Sequence, residues 1–157
     1  YPGDEDKART LFATLDQAKT RQDMLAAAAT LKARTDSNGR VGVVGFCYGG
    51  GIAHMLATQL PDLAAAVPYY GNHPPVEDAA KVKAPLLIHF AAVDERINAA
   101  WPAYETALKA AGARYTAHQY PGTQHGFNND TTPRFDAAAA KLSWDRTMAF
   151  FKERLTA

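Results

Sequence analysis

The chain has 157 residues, enough for one domain of ordinary size. Hydrophobic residues make up 47% of it, but much of this fraction is alanine, which buries little surface per residue. With 17 Lys and Arg against 16 Asp and Glu, the net charge is +1, so no overall field points to nucleic acid or an anionic membrane as a partner. A single cysteine excludes an internal disulfide and a zinc site built on several thiolates.

The sequence contains no apolar run as long as the roughly 18 residues that a membrane helix requires. Its first residues, Tyr-Pro-Gly-Asp-Glu-Asp-Lys, are charged and lack the apolar core of a signal peptide. We therefore expect a soluble, cytoplasmic protein with no membrane partner. The chain starts at Tyr1 rather than at a methionine, which is compatible with processing or with a longer parent sequence.

Residues 4–34 are predicted to form two helices. We expect the break between them near residues 18–22. Residues 35–39, Thr-Asp-Ser-Asn-Gly, are turn formers that end the second helix. The helical prediction rests on apolar side chains that recur at the spacing of one helix face, namely Ala8, Leu11, Phe12 and Leu15 and then Leu25, Ala28 and Ala29.

The rest of the chain alternates short apolar runs with helical segments. This order predicts an α/β fold, with one domain over residues 1–157 that has an open, mostly parallel sheet and helices on both faces. The runs that resemble buried parallel strands are residues 40–46, 63–70, 85–93 and 114–120. The helices are expected at residues 49–60, at 101–111 and at the C-terminus, where Trp144, Met148, Phe151 and Leu155 lie at helical spacing.

The segment Gly45-Phe-Cys-Tyr-Gly49 directly follows the first predicted strand and opens the next predicted helix. A nucleophile between two glycines, at a sharp turn from strand to helix, forms a nucleophile elbow. In this chain Cys47 is at the nucleophile position. Both glycines are expected to be required, because a Cβ at either position would hold strand and helix apart. A buried structural thiol is the alternative, and the elbow context favours the nucleophile.

We expect the helix that begins after Cys47 to activate its thiol. The positive end of a helix dipole lowers the pKa of a nearby cysteine from about 8.5. The backbone N–H of Tyr48 is expected to face the oxyanion that forms on a substrate carbonyl. One such oxyanion-hole donor lowers the reaction barrier by roughly 2.7–4 kcal/mol.

A thiolate nucleophile also needs a base and a group that orients the base. In hydrolases built on this elbow, the acid and then the histidine follow the nucleophile in the chain, each after a later strand. Asp94 directly follows the run at residues 85–93, and His125 lies in the loop after the run at 114–120. Because the carboxyl ends of parallel strands meet at one edge of the sheet, we expect Cys47, Asp94 and His125 to form a catalytic triad.

The other histidines are weaker candidates for the site. His89 lies within a predicted strand and is expected to be a satisfied core histidine, while His54 and His118 are also expected to be structural. His73 lies in a loop near a strand end and is a minor candidate for contacting substrate. No two histidines stand at metal-ligand spacing, so we expect neither a metal nor another cofactor.

Two further carboxylates compete with Asp94 for the role of the acid. Glu95 is its neighbour in the chain and would point away from the site if Asp94 faces it. Asp130 follows the histidine instead of preceding it. Asp94 therefore remains the preferred acid.

Three segments together resemble the dienelactone hydrolase (carboxymethylenebutenolidase) family. The similarity extends from about Gly3 to the C-terminus, and Gly-Phe-Cys-Tyr-Gly-Gly is its most specific part. The resemblance implies an α/β-hydrolase fold and a triad of Cys47, Asp94 and His125 that works without a metal. The three segments are residues 42–51, Ala92-Val-Asp94 and Gly122-Thr-Gln-His-Gly-Phe-Asn128.

The family resemblance also bears on substrate contacts. Tyr69-Tyr70-Gly71 is similar to a family segment near the site, so Tyr70 is a candidate wall of the substrate pocket; a buried aromatic residue at a strand end is the alternative reading. Well-studied members have an arginine four residues after the histidine that helps to hold a substrate carboxylate. This chain has Asn129 there. Asn129 is therefore a candidate substrate contact, and an anionic dienelactone is not the expected substrate.

Full-length members of this family have several strands before the segment in which the present chain starts. We therefore expect the chain to be the C-terminal two-thirds of a longer hydrolase, with the N-terminal strands missing. The absent part would supply the second oxyanion donor. Without it, one edge of the sheet is unpaired, and we expect that edge to be covered by the absent segment or by another chain.

These residues predict hydrolysis of a small ester or lactone through an acyl-enzyme on Cys47. A cysteine amidotransferase-like enzyme is a second possibility, but it would favour a glutamate two residues after the histidine, where this chain has Phe127. The non-enzymatic alternative is a non-catalytic fragment that acts as a thiol-based interaction or redox module, because an activated thiol is also readily oxidised.

Overall fold

A parallel sheet of four strands lies at the centre of the computed structural model, which describes residues 5–156 of the chain. The order of the strands in the sheet is their order in the chain, and each neighbouring pair is parallel. All the carboxyl ends therefore meet at one edge of the sheet. The strands are β1 (Gly42–Phe46), β2 (Ala65–Tyr69), β3 (Leu86–Val93) and β4 (Tyr115–Gln124).

Each predicted strand is present, and β4 is longer than expected. It continues through Pro121 and Gly122, which interrupt the apolar pattern. Its pairing with β3 shifts register after Ala91 and resumes at Val93. After this irregular pairing, β4 continues to Gln124, the residue before His125.

Two helices precede the sheet, as expected, but the break between them lies elsewhere. α1 spans Glu5–Phe12 and α2 spans Gln17–Ala33, so the predicted break at residues 18–22 is wrong. α2 starts earlier because Asp16 caps it. The Asp16 carboxylate accepts a hydrogen bond from the backbone N–H of Lys19, 3.0 Å away.

Helical segments also follow each strand. None of the helices within residues 5–156 is long and apolar enough to cross a membrane. After β1 comes α3 (Tyr48–Gln59), after β2 a 3₁₀ helix (Val76–Lys81), after β3 the short α4 (Glu95–Asn98) and α5 (Trp101–Ala110), and after β4 the long α6 (Ala137–Leu155).

These helices cover both faces of the sheet, as predicted. Successive side chains of β3 point to opposite faces. Leu86, Ile88 and Phe90 join the core that includes residues of α3 and α5. Leu87 and Ala91 join the core on the other face, which includes residues of α6. The predicted α/β layer order is therefore confirmed.

β1 lies at one edge of the sheet. It pairs with β2 on one side, and no strand within residues 5–156 pairs with its other side. Every residue of β2 is buried, whereas Gly45 is the one buried residue of β1. The expectation that an absent segment or another chain covers this edge stays a prediction.

His89, in the middle of β3, forms hydrogen bonds with side chains of β4 and α6. It is fully buried, and its Nδ1 lies 2.9 Å from the Tyr120 hydroxyl and its Nε2 3.1 Å from the Thr147 hydroxyl. The Tyr69 hydroxyl also bonds Thr147, at 2.7 Å. Burial lowers the pKa of His89 to about 3, so the ring is neutral at pH 7. The prediction of a satisfied core histidine is confirmed.

The first turn of α3 contacts the end of β2 through glycine backbone. A Cβ at Gly50 would lie 2.4 Å from the carbonyl oxygen of Tyr69, and a Cβ at Gly71 would lie 2.2 Å from the carbonyl carbon of Gly50. Real side chains do not approach backbone atoms so closely. The contact therefore holds the helix start directly against the residues that follow β2.

We predict that Gly50→Ala lowers the free energy of unfolding by about 1–3 kcal/mol, because the added methyl forces the backbones of α3 and β2 apart. Gly49→Ala is the matched control, since a Cβ at Gly49 meets nothing within 4 Å and alanine favours the helix. Urea denaturation of both variants measures the difference. Equal stability of the Gly50→Ala variant and the wild type would refute the close contact.

Candidate active site

Cys47 occupies a strained turn between β1 and α3. Its φ of 53° and ψ of −115° lie in a region that non-glycine residues rarely adopt. Its N–H donates to the Tyr69 carbonyl at 3.1 Å, and its carbonyl accepts from the Gly51 N–H at 3.2 Å. The backbone thus has the sharp strand-to-helix turn that the sequence motif predicts, with Cys47 at its apex.

The two glycines of the motif have different roles in this turn. A Cβ at Gly45 would lie 1.9 Å from the carbonyl oxygen of Gly49, so no side chain fits there. At Gly49 a Cβ would meet none of the described residues within 4 Å. The expectation that both positions must lack a Cβ is therefore right for Gly45 and wrong for Gly49. Gly50, the next residue in the chain, is the second position that has no room for a Cβ.

Asp94 and His125 form a hydrogen bond beyond the ends of β3 and β4. The Asp94 Oδ2 lies 2.6 Å from the His125 Nδ1. Asp94 is buried, with 8% of its surface exposed, whereas His125 is only partly buried. A proton on Nδ1 would be held by this carboxylate, which leaves Nε2 to accept a proton from another group. The competing carboxylates Glu95 and Asp130 are exposed.

Tyr70 lies beside this pair, directly after β2. It is 2% exposed, has a φ of 37°, and its ring centroid is 5.0 Å from that of His125. Burial, and secondarily the charge of a Cys47 thiolate, raise the pKa of the Tyr70 hydroxyl. Tyr70 is therefore close to both the elbow and His125, and its role as a pocket wall stays a prediction.

No hydrogen bond joins the thiol to His125 in the described part of the chain, although Cys47 lies within electrostatic range of Asp94. Hydrogen bonds between catalytic groups are often long in the substrate-free state and shorten in the complex with substrate. The structure therefore places the three residues at one sheet edge, with Asp94 hydrogen-bonded to His125 and no hydrogen bond between His125 and the thiol.

The pKa of the Cys47 thiol differs from the expectation based on the sequence. Cys47 is exposed as a whole residue, yet partial burial by the surrounding protein raises the pKa of its thiol above the ordinary value. The carboxylate of Asp94 raises it further, while the charges of Arg134 and Arg96 lower it. The prediction of a pKa lowered by the helix dipole is wrong, because the loss of hydration outweighs the favourable charges.

The two arginines near the thiol were not found from the sequence. The guanidinium of Arg134 packs over the backbone next to His125, where its Nε lies 3.7 Å from the position of a Cβ on Gly126. Arg96 follows Asp94 and donates from Nη1 to the Asn72 Oδ1 at 2.7 Å. Arg134 comes close only because the loop after β4 folds back on itself, and no local pattern signals that.

Asn129 and Tyr48, the remaining predicted site residues, are both exposed. The Asn129 Oδ1 accepts hydrogen bonds from the Thr131 N–H at 3.0 Å and the Thr131 hydroxyl at 2.7 Å, so this oxygen supports its own loop. Tyr48 is the first residue of α3, and its backbone N–H has no partner within the helix. Substrate contact by Asn129 and oxyanion binding by the Tyr48 N–H both stay predictions.

His73 and His54 lie in the helical layer and not at the triad. Their rings are 5.1 Å apart, and His73 stacks on Tyr104 at 5.1 Å. The ring nitrogens of both histidines are buried, and those of His54 have no hydrogen-bond partner among the described residues. Burial lowers the pKa of His73 to about 4, so both rings pack as neutral aromatic groups. The structural role expected for His54 agrees with this position.

The sequence matches the model of the dienelactone hydrolase family over residues 1–155. A provisionally assigned carboxymethylenebutenolidase of Saccharolobus solfataricus is 33% identical over 141 residues, which cover 88% of this chain and 54% of that protein. A protein with the same provisional name from Escherichia coli K12 is 35% identical over 125 residues, which cover 73% of this chain and 46% of that protein. The chain thus spans about half the length of the curated relatives it matches.

Solved structures show the same fold. The crystal structure of a provisionally assigned dienelactone hydrolase from Klebsiella pneumoniae is 28% identical, with a TM-score of 0.81 over 90% of this chain and 64% of that one. An acylaminoacyl peptidase of Pyrococcus horikoshii, 20% identical, has a TM-score of 0.71 over 86% of this chain and 27% of its own. The second likeness shows the α/β-hydrolase fold alone.

We predict that alkylation of Cys47 by iodoacetamide has a pH midpoint above that of an ordinary exposed cysteine, since burial raises its pKa. The chain contains no other cysteine, so intact-mass spectrometry reports this thiol alone. Arg134→Gln should move the midpoint still higher, because Arg134 lowers the pKa.

A Cys47→Ala, Leu142→Cys double variant supplies the reference thiol, since Leu142 is exposed on α6. Both proteins are alkylated over the same pH range. A pH midpoint for Cys47 below that of the reference thiol would contradict the claim that burial raises the pKa of Cys47.

Proposed function

The chain belongs to the dienelactone hydrolase family, and from this premise we propose that the protein hydrolyses small esters or lactones with Cys47 as its nucleophile. The observation that carries the proposal is the 2.6 Å bond between Asp94 and His125 at the sheet edge where the elbow holds the thiol. Nucleophile, base and orienting acid are the groups that acyl transfer through a covalent intermediate requires.

The first half-reaction transfers the acyl group to sulfur. Because the thiol is protonated in the free protein at neutral pH, its proton passes to Nε2 of His125 as Sγ bonds the substrate carbonyl carbon. The carbonyl electrons move onto oxygen, where the N–H of Tyr48 donates a hydrogen bond. The tetrahedral intermediate then expels the alcohol oxygen, which takes the proton from His125.

The second half-reaction releases the acid. Water gives a proton to Nε2 of His125 while its oxygen attacks the thioester carbonyl. Collapse of the second intermediate breaks the C–S bond, and Cys47 regains the proton from His125. The products are a carboxylic acid and an alcohol, or one hydroxy acid when the substrate is a lactone. Throughout, Asp94 keeps Nδ1 protonated and stabilises the imidazolium.

The raised pKa of Cys47 argues against the redox alternative. Oxidation of cysteine follows its thiolate character and exposure, and burial keeps this thiol protonated near neutral pH. A residue that reacts only when its proton passes to a neighbouring base suits a catalyst better than a sensor. Phe127, in place of the glutamate that an amidotransferase would favour, packs in the core and is fully buried.

We predict that the protein releases p-nitrophenol from p-nitrophenyl acetate beyond one equivalent, and that Cys47→Ala and His125→Gln each lower kcat by at least about a thousandfold. Release is followed by absorbance under steady-state conditions. The loss is expected because either change removes a group that acts directly in bond formation or proton transfer.

His118→Gln is the matched control for the histidine variant. His118 lies on the same strand, β4, and packs beside His89 with ring centroids 6.0 Å apart, away from the triad. This variant should retain turnover. Continued turnover by Cys47→Ala would rule out the proposed nucleophile.

A further inference from the structure

Cys47 and Tyr70 are the non-glycine residues with a positive φ in the stretch from residue 5 to residue 156, and they are close neighbours. The φ of Cys47 is 53° and that of Tyr70 is 37°. The N–H of Cys47 donates to the carbonyl of Tyr69, the residue bonded to Tyr70, at 3.1 Å. A positive φ is unfavourable for a bulky side chain, and residues in such conformations cluster at functional sites. The elbow accounts for the backbone of Cys47, whereas none of the steps proposed above accounts for that of Tyr70.

The ring of Tyr70 packs against the base of the proposed reaction. Its centroid lies 5.0 Å from that of His125, with an angle of 58° between the two ring planes. The ring of Phe127, two residues after His125, lies 5.3 Å from the Tyr70 ring. Tyr70 is 2% exposed and Phe127 is fully buried. The ring that contacts the imidazole is therefore itself held in the core.

The backbone around Tyr70 is also fixed. Its N–H donates to the carbonyl of His89 in β3 at 2.7 Å. The next residue, Gly71, contacts the backbone of Gly50 in the first turn of α3 so closely that neither glycine has room for a Cβ. The same turn of α3 follows Cys47. Tyr70 therefore connects the elbow to the loop that carries the base.

The hydroxyl of Tyr70 does not act as an acid or a base near neutral pH. Burial raises its pKa, and the charge of a Cys47 thiolate raises it further, while the backbone of Asn128 lowers it by a smaller amount. The hydroxyl therefore keeps its proton throughout the neutral range. A buried, uncharged ring beside the base can hold its neighbours in place but takes no proton from them.

His125 has a fixed partner on one side of its ring. Its Nδ1 lies 2.6 Å from the Asp94 carboxylate, but within residues 5–156 no hydrogen bond joins the ring to Cys47. A single hydrogen bond leaves the ring free to turn about it, and a misplacement of about 1 Å can lower a rate by about a hundredfold. We propose that Tyr70 is a positioning residue, whose ring holds the imidazole of His125 where it can take the proton of Cys47. This inference rests on the proposed hydrolase function.

The kinetic test separates the ring of Tyr70 from its hydroxyl. Tyr70→Leu, which removes the ring, should lower kcat for p-nitrophenyl acetate by about tenfold to a hundredfold with little change in KM. Tyr70→Phe, which keeps the ring, should retain kcat within about threefold of the wild type. A residue that only forms a wall of the substrate pocket would raise KM instead.

Tyr104→Leu is the matched control. Tyr104 is as deeply buried as Tyr70, and its ring stacks on a different histidine, His73, at 5.1 Å. This variant loses a buried ring of the same size away from the triad. It should leave both kcat and KM as in the wild type.

NMR of isotope-labelled histidine reports on His125 without any turnover. In mildly alkaline buffer the wild type should show one imidazole tautomer for His125, with the proton on Nδ1, and loss of the signal in His125→Gln assigns it. Tyr70→Leu should show a mixture of tautomers or a broadened signal. Tyr70→Phe and Tyr104→Leu should match the wild type.

Tyr70→Met is a second variant without the ring, because the flexible methionine side chain adapts to the space that a larger residue leaves. It keeps the test decisive if Tyr70→Leu fails to fold. A folded variant without the ring that has an unchanged kcat, an unchanged His125 signal or a raised KM alone overturns the positioning role while the hydrolase function stands. Failure of the wild type to turn over p-nitrophenyl acetate overturns the proposed function, and the positioning role with it.

Discussion

The backbone contact between the first turn of α3 and the ends of β1 and β2 is the constraint on which the site depends. Gly45 and Gly50 have no room for a Cβ, so strand and helix lie closer than any other residue would allow. Cys47 joins them with a positive φ, and its thiol lies at the apex of the turn. Parallel pairing then brings Asp94 and His125 to the same edge, because both follow strands that end there.

Partial burial of the thiol and the charges around it together set the pKa of Cys47. Burial raises the pKa of Cys47 more than Arg134 and Arg96 lower it, so the free thiol carries its proton at neutral pH. In the proposed mechanism, Nε2 of His125 takes that proton when the thiol attacks the substrate carbonyl. A cysteine can therefore lie at an exposed turn and still keep its proton at neutral pH.

Local sequence patterns were enough to predict much of the fold and the candidate site. Glycine spacing after a strand identified the elbow, and positions after strand ends identified Asp94 and His125. The start of α2 was missed because it depends on one side-chain bond from Asp16. Arg134 was missed because a long-range fold of the loop, closed by the Asp136 N–H on the carbonyl of Phe127 at 3.0 Å, sets its place. The thiol pKa depends on burial, which a motif does not encode.

Mass spectrometry of protein quenched in acid during turnover of p-nitrophenyl acetate tests most directly whether Cys47 carries the acyl group. The account predicts an acetyl adduct on the peptide that contains Cys47, formed in the first turnover, removed by hydroxylamine and lost once the substrate is exhausted. Since the chain has one cysteine, a thioester has a single possible position. Steady turnover with no adduct on Cys47, or with a kinetically competent adduct on another residue, would contradict it.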